Sequence, residues 1–277
     1  MAAVPKDMVG ATGVRYRYKQ LLQTKEHFGH VWLATSGCDQ FILKTIPKLI
    51  FNHFDKEIRP NVRDSPFTRL PVDMIPNERI FPRYYIKADN IMVDYHEDKK
   101  EVVINTVRLT DLDNAAYLPN GRYIQGMLAG NANWRSPEAF LKSKLNKPTD
   151  MFSFGVVCTY AVLGRAIFAP DADFETRIAQ GVLPDLIHLQ RQVSYFGDED
   201  AIAGLEMHLG DDSFSRMILR MLWTDRWEPQ IGYKQFGNWP EVEDMVFMDL
   251  VLRLRNLDPK RRMTAQEALE HQWFEDV

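Results

Sequence analysis

Cysteine is scarce: Cys38 and Cys158 are the only two among 277 residues. They fall on different candidate elements, which excludes a disulfide framework and suits a reduced interior. No apolar run approaches about 18 residues, so no stretch reads as a transmembrane helix. The segment from Met1 to Gly10 lacks a secretory apolar core and is not rich in arginine. Basic excess is also absent. A net charge of −4 and a pI near 6.0 argue against a nucleic-acid or membrane-surface partner. The seven histidines are scattered without ligand spacing, so no zinc site is expected. Internal repeats and low-complexity segments are missing too. What is present is a chain with 45% hydrophobic residues, enough for one large domain or two lobes. The expected setting is intracellular, cytoplasmic or nuclear.

The most informative stretch runs from Ile86 to Asp111. Ile86-Lys87-Ala88-Asp89-Asn90 leads into apolar Ile91, Met92 and Val93, and a charged turn comes next at His96-Glu97-Asp98-Lys99-Lys100. The chain returns as an alternating strand, Val102, Ile104, Val107 and Leu109, and stops at Asp111-Leu112-Asp113. This reads as a loop, a hairpin and an acidic turn. A hairpin brings its ends together, so Asn90 and Asp111 are expected to face one pocket. An amide oxygen and a carboxylate there make a hard-oxygen site of the kind Mg²⁺ takes with nucleotide phosphates. Lys87 adds a mobile positive charge for a phosphate. Lys, Asp and Asn before a strand are common in ordinary surface turns, so the case rests on three features downstream in the chain.

Ser136-Pro137-Glu138 comes 27 positions after Asp111 (138 − 111), Asp150 opens an apolar helix 12 positions later (150 − 138), and Arg262 lies in Asp258-Pro259-Lys260-Arg261-Arg262. In order and spacing these resemble the C-terminal lobe of eukaryotic protein kinases of the Ser/Thr class. The resemblance is good from about 86 to 277 and weaker from 16 to 81. It implies an α+β, protein-kinase-like fold: a tail over 1–15, a partial small β-rich N-lobe over 16–81, and a larger helical C-lobe over 82–277. It also implies ATP and Mg²⁺ as cofactors and a protein substrate or partner of unknown identity. Lys87 matches the catalytic-loop Lys, Asn90 and Asp111 the metal ligands, Glu138 and Arg262 a structural ion pair, and Asp150 the Asp of the central helix.

In the N-terminal part, Tyr16 to Lys44 reads as strands with turns at Thr24–His27 and Ser36-Gly37. By the same resemblance Gly29 and Val31 match the end of the Gly-rich phosphate loop and Lys44 the phosphate-binding Lys. The other two loop glycines are replaced by Thr24 and Glu26. Phe51 to Val62 is expected to form a short helix that Pro60 cuts off, with Glu57 on its inner face, paired to Lys44. Ser65 to Asp73 resembles the strand after that helix, and Asn77 to Phe81 starts another.

The match then breaks. Lys44 and Lys87 are 43 positions apart (87 − 44), roughly half of what the family needs. The interlobe hinge and a helix of about 15–20 residues have no counterpart, so an internal deletion joins near Phe81-Pro82. The His-Arg-Asp positions hold Arg83, Tyr84 and Tyr85. A phenol with a pKa near 10 is a poor base at neutral pH, so the catalytic base is absent, with Tyr85 in its place. The implied activity is ATP-dependent phosphoryl transfer to Ser or Thr of proteins, impaired in this chain. The alternatives are a catalytically dead pseudokinase acting as a protein-binding module, or a truncated product without function.

Further on, Pro148-Thr149-Asp150 starts a helix through Leu163 that is apolar on every side and expected to be buried. Gly155 permits close packing there, and Cys158 is expected as plain core. Phe174 to Leu189 looks helical and Asp198 to Leu209 looks like an acidic polar excursion. Ser213 to Leu222 is a short amphipathic helix whose Met217 and Met221, with Trp223 and Trp227, are expected in the core, the alternative being an exposed partner surface. Val242 to Leu254 has helical spacing, and Thr264-Ala265-Gln266-Glu267 is a capping box.

Overall fold

The computed structural model describes residues 7–25, 29–44, 48–71, 88–98, 101–112, 115–116, 118–119, 121–229 and 231–275. The chain divides into two compact units. One comprises residues 1–84 and 89–117, the other 85–88 and 118–277.

In the first unit, β-branched and aromatic residues favour strands. β1 (Asp7–Val9), β2 (Arg15–Lys25), β3 (Gly29–Ser36) and β4 (Asp39–Lys44) form an antiparallel sheet in that order. Tyr16 and Ala34 are buried, and Tyr16 meets Phe41 edge-on at 5.1 Å. Thr24 and Lys25, expected in a turn, belong to β2.

The next helix is built in three pieces. α1 (Lys48–His53) runs into a π-helical turn at Phe54–Ile58, and α2 (Arg59–Val62) completes it. Pro60 lies in this last piece, and the element ends two residues later at Val62. Phe54 and Ile58 take the buried face. The i→i+5 bonding of the π turn carries Glu57 away from that face, and its side chain is exposed. Of the strand expected over Ser65–Asp73, only an isolated parallel bridge, Thr68 to Leu109, forms within the described residues. Pro66 and Pro71 supply no N–H to a longer ladder.

β5 (Ile91–Asp98) and β6 (Glu101–Leu109) form a separate two-stranded antiparallel sheet. The charged residues His96 to Asp98 belong to β5 and not to the turn.

The second unit is helical. α3 (Pro137–Phe140) precedes α4 (Lys147–Leu163), which buries Phe152, Ser153, Gly155, Val156, Val157 and Thr159. Burial stops at the last turn, where Tyr160 and Val162 are exposed, so α4 is a post with one open end. Gly155 is needed: a Cβ there would lie 2.7 Å from Arg255 Cγ and 2.9 Å from Leu254 Cβ.

The helix expected across Phe174–Leu189 is two helices, α5 (Ala172–Ala179) and α6 (Pro184–Phe196). Gly181 at φ 87° and Pro184 in the first turn of α6 make the break. The acidic stretch from Asp198 is helix α7 (Glu199–Leu209). Asp198 accepts a hydrogen bond from Ala201 N as its cap, and Glu199 and Asp200 fill the first turn, where acidic groups suit the helix dipole.

α8 (Ser213–Asp225) is longer than expected, and its Met217 and Met221 are exposed, as is Trp227 beyond it. Arg226 accounts for the tryptophans: its guanidinium lies 3.4 Å from the Trp223 ring centre and 4.7 Å from that of Trp227. α9 (Met245–Leu254) and α10 (Ala265–Leu269) complete the unit. Leu250, Leu254, Met263 and Ala268 form a core cluster against which Cys158 and Trp273 pack. The Thr264–Glu267 capping box is present with both reciprocal bonds.

Candidate functional site

β4 ends on Lys44, directly opposite Val31 of β3, while Gly29 opens β3 opposite Lys25. The β5–β6 hairpin supplies the acidic side. Asn90 closes a short 3-10 turn, Ala88–Asn90, and is buried. Its carbonyl accepts the Thr110 N–H at 2.8 Å, which ties the start of β5 to the residue after β6. Asp111 comes next. Its φ is +61°, a left-handed backbone that few non-glycine residues adopt, although Asp tolerates it better than most. The positive φ falls on Asp111 itself.

The Lys44 ammonium donates to the Asp111 carboxylate, forming an ion pair with each side chain about one-third exposed. Glu57 makes no described contact with Lys44. Lys87, Tyr85, Tyr84 and Arg83 lie outside the described residues, as does the Asn77–Phe81 segment. Thus one unit brings Lys44, Val31, Asn90 and Asp111 to a single neighbourhood. His53 adds a cross-tie, its Nε2 lying 3.0 Å from the Ala115 carbonyl.

This donor set fits a magnesium nucleotide. Mg²⁺ prefers oxygen ligands and binds through one or two carboxylates plus substrate phosphates, keeping several waters. Asp111 and Asn90 offer a carboxylate and an amide oxygen, and Lys44 offers a cation for phosphate oxygens. No group of three or more His, Cys, Asp or Glu suited to a metal occurs among the described residues.

The second unit holds the other candidate residues. Ser136 precedes α3, placing Glu138 in its first turn with no solvent exposure. Arg262 clamps it: Nη1 donates to Oε1 at 2.7 Å and Nη2 to Oε2 at 3.0 Å. Thr149 Oγ1 donates to Glu138 at 2.9 Å, and Arg262 also donates to the Pro148 carbonyl at 2.8 Å and the Asn256 carbonyl at 2.9 Å. Both ends of the carboxylate–guanidinium pair are thereby satisfied. Burial alone would raise the Glu138 pKa, but the Arg262 charge and these hydrogen bonds outweigh it and hold the carboxyl below its ordinary value.

Asp150 lies in the first turn of α4 and is exposed to solvent, although protein atoms crowd its carboxyl. Desolvation pushes its carboxyl up to about 6. An accessible face remains on the residue, and water there limits that rise.

Two arginines carry more of this unit than their sequence context suggests. Arg135 is buried and donates to the carbonyls of Ala129 and Gly130, with Asp185 at 3.4 Å. Gly130 at φ +103° permits that approach, so a glycine five residues before a buried arginine was the available signal. Arg255 has no exposure, and none of its three guanidinium nitrogens has a hydrogen-bond partner among the described residues. Three aromatic faces surround it, those of Phe196, Phe168 and Phe152 at 3.7, 4.7 and 4.9 Å. Nothing in the helical spacing of Val242–Leu254 marks position 255 as buried.

No described helix is long and apolar enough to cross a membrane. Among curated proteins, the dual specificity protein kinase CLK1 of Homo sapiens is 24% identical, covering 94% of this chain and 53% of its own length. CLK4 of Mus musculus is 25% identical over the same shares. The serine/threonine-protein kinase AFC3 of Arabidopsis thaliana is 26% identical over 51% of this chain and 35% of its own. The chain spans about half the length of the CLK relatives it matches. The family described as the protein kinase domain matches residues 83–274. That match covers the Asn90–Asp111 hairpin and the buried Glu138–Arg262 pair alike, and the chain belongs to the protein kinase family.

Proposed function

We propose that this chain holds Mg-ATP on its phosphate side and is impaired in phosphoryl transfer. Lys44 holds phosphate oxygens, Asn90 and Asp111 hold the metal, and Lys87 adds a second phosphate contact. Bound Mg-ATP supplies the transferable γ-phosphoryl group together with the cation that neutralises it. The acceptor class is the Ser or Thr hydroxyl of a protein, in keeping with relatives named serine/threonine-protein and dual specificity kinases. The setting is intracellular. The observation that supports this reading is the meeting of Lys44 with Asp111, next to the Asn90–Thr110 tie.

The impairment comes from position 85. A general base must take the hydroxyl proton near neutral pH, and Tyr85 carries a phenol that stays protonated there. Asp89 is a carboxylate four positions further on (89 − 85).

The test is transfer of labelled phosphate from ATP to a mixed Ser/Thr peptide pool. Wild type should give no signal above the Lys44→Ala background, and Tyr85→Asp should raise it. Wild-type transfer that Lys44→Ala abolishes would instead assign an active kinase. The second reading, a binding module without nucleotide, is favoured by the same Tyr85 and requires that Mg-ATP leave the protein unchanged.

A further inference from the structure

The β5–β6 hairpin has one face built for burial and left open. Strand alternation puts Val93 and Tyr95 of β5 on the same side. Register places Val107 opposite Val93, Ile104 opposite Tyr95, and Val102 opposite Glu97. A bulge makes this possible. The pairing passes from Asp94–Thr106 to Tyr95–Ile104 and skips Asn105, which turns Ile104 to the side of Val107. Without it, Ile104 and Val102 would fall on the opposite face. The bulged Asn105 is held by His96 at 2.9 Å.

The result is an apolar face of five side chains, Val93, Tyr95, Val102, Ile104 and Val107, exposed by 47, 59, 63, 59 and 48%. Among the described residues Glu97 is the charge at its rim, while the reverse face carries Asp94, His96, Asp98, Glu101 and Arg108 beside the less exposed apolar Met92 and Val103. The hairpin is held at its base, where Leu109 N donates to the Phe67 carbonyl and Arg69 N to the Leu109 carbonyl. Beyond that base neither outer edge is paired among the described residues. An isolated two-stranded hairpin is marginal in water without a further layer, and contiguous exposed apolar surface marks an interaction site.

We infer that this face is a self-association surface: a second copy of the chain lays its own hairpin against it about a two-fold axis. Three features select a second copy. Among its described residues a single charge, Glu97, offers a charged partner little to complement. The five central side chains are apolar, so the image of the face is complementary to it, as a two-fold interface requires. Its area also suffices, because five such side chains expose roughly 500 Å² and two facing hairpins bury about 1,000 Å², the lower bound of a specific interface. Two hairpins stacked at the ordinary spacing of about 10 Å make a four-stranded sandwich.

The test is sedimentation equilibrium of the full chain across a dilution series. The apparent mass should rise from one chain toward two with concentration. Ile104→Lys and Tyr95→Lys should each hold the mass at one chain, and Val103→Lys, on the reverse face, should associate like wild type. Thermal unfolding of each variant separates loss of association from loss of fold, since all three positions are exposed. A wild type that stays monomeric throughout overturns the inference. So does a folded Ile104→Lys chain that still dimerises, or a wild type whose hairpin is protected only by a different protein.

Discussion

At the residue scale, two buried charges in the helical unit have opposite consequences. Glu138 and Arg262 are satisfied by each other together with Thr149 and the Pro148 and Asn256 carbonyls. Removing one partner strands the other in a dry site, and Glu138→Gln is expected to cost about 3–5 kcal/mol, read as a fall in the urea midpoint. The Glu138 pKa is lowered on folding. Its contribution is therefore present above the unfolded carboxylate pKa and is lost as pH falls through the lowered folded value, below the ordinary value of 4.5. The Glu138→Gln variant should lose that part of the acid dependence. Arg255 is the converse case, because aromatic faces are its only described partners and burial drives its pKa well below the ordinary value. Arg255→Met keeps the volume and removes the charge. It should stabilise the chain by about 1–4 kcal/mol, and a lowered midpoint would show that the three rings repay the desolvation. The cysteines differ likewise. Cys38 is exposed, whereas burial pushes the Cys158 thiol up to about 12. Under native conditions alkylation followed by mass spectrometry should find one labelled site, Cys38, with Cys158 reacting only after denaturation.

At the scale of elements, α4 and the β5–β6 hairpin show what sequence patterns carry. The apolar run from Met151 to Leu163 announces a helix, and Gly155 its close contact, but a pattern apolar on every side has no direction. It cannot show that Tyr160 and Val162 stay open. The close contact is testable: Gly155→Ala drives a methyl into Leu254 and Arg255 and should cost about 1–3 kcal/mol. In the hairpin, the apolar positions switch parity between Ile104 and Val107. That switch is the bulge at Asn105, which a reading of the strand as regularly alternating passes over. The capping box at Thr264 was legible because both partners lie three residues apart. Glu57 was not, because helical periodicity assumes 3.6 residues per turn and a π turn shifts the buried face. The helix from Asp198 was hidden by its own cap and acidic first turn, which read as a polar loop.

At the scale of the whole molecule, the family was legible from five ordered motifs, since the spacing between chemical groups survives at identities near 24%. The composition of the site was less so. The Asn90 carbonyl meets Thr110, next to Asp111, as a hairpin requires, whereas Lys44 meets Asp111 by tertiary placement that no local pattern encodes. The central claim is that this side of the site still takes a nucleotide although position 85 lacks a carboxylate. Thermal unfolding of the full chain with and without Mg-ATP, beside Lys44→Ala, tests it most directly. Ligand at about 100 times its dissociation constant stabilises the folded state by about 2.7 kcal/mol. The account predicts one cooperative transition that moves upward with Mg-ATP in wild type and stays fixed in Lys44→Ala. A cooperative wild-type transition that Mg-ATP leaves in place would contradict it.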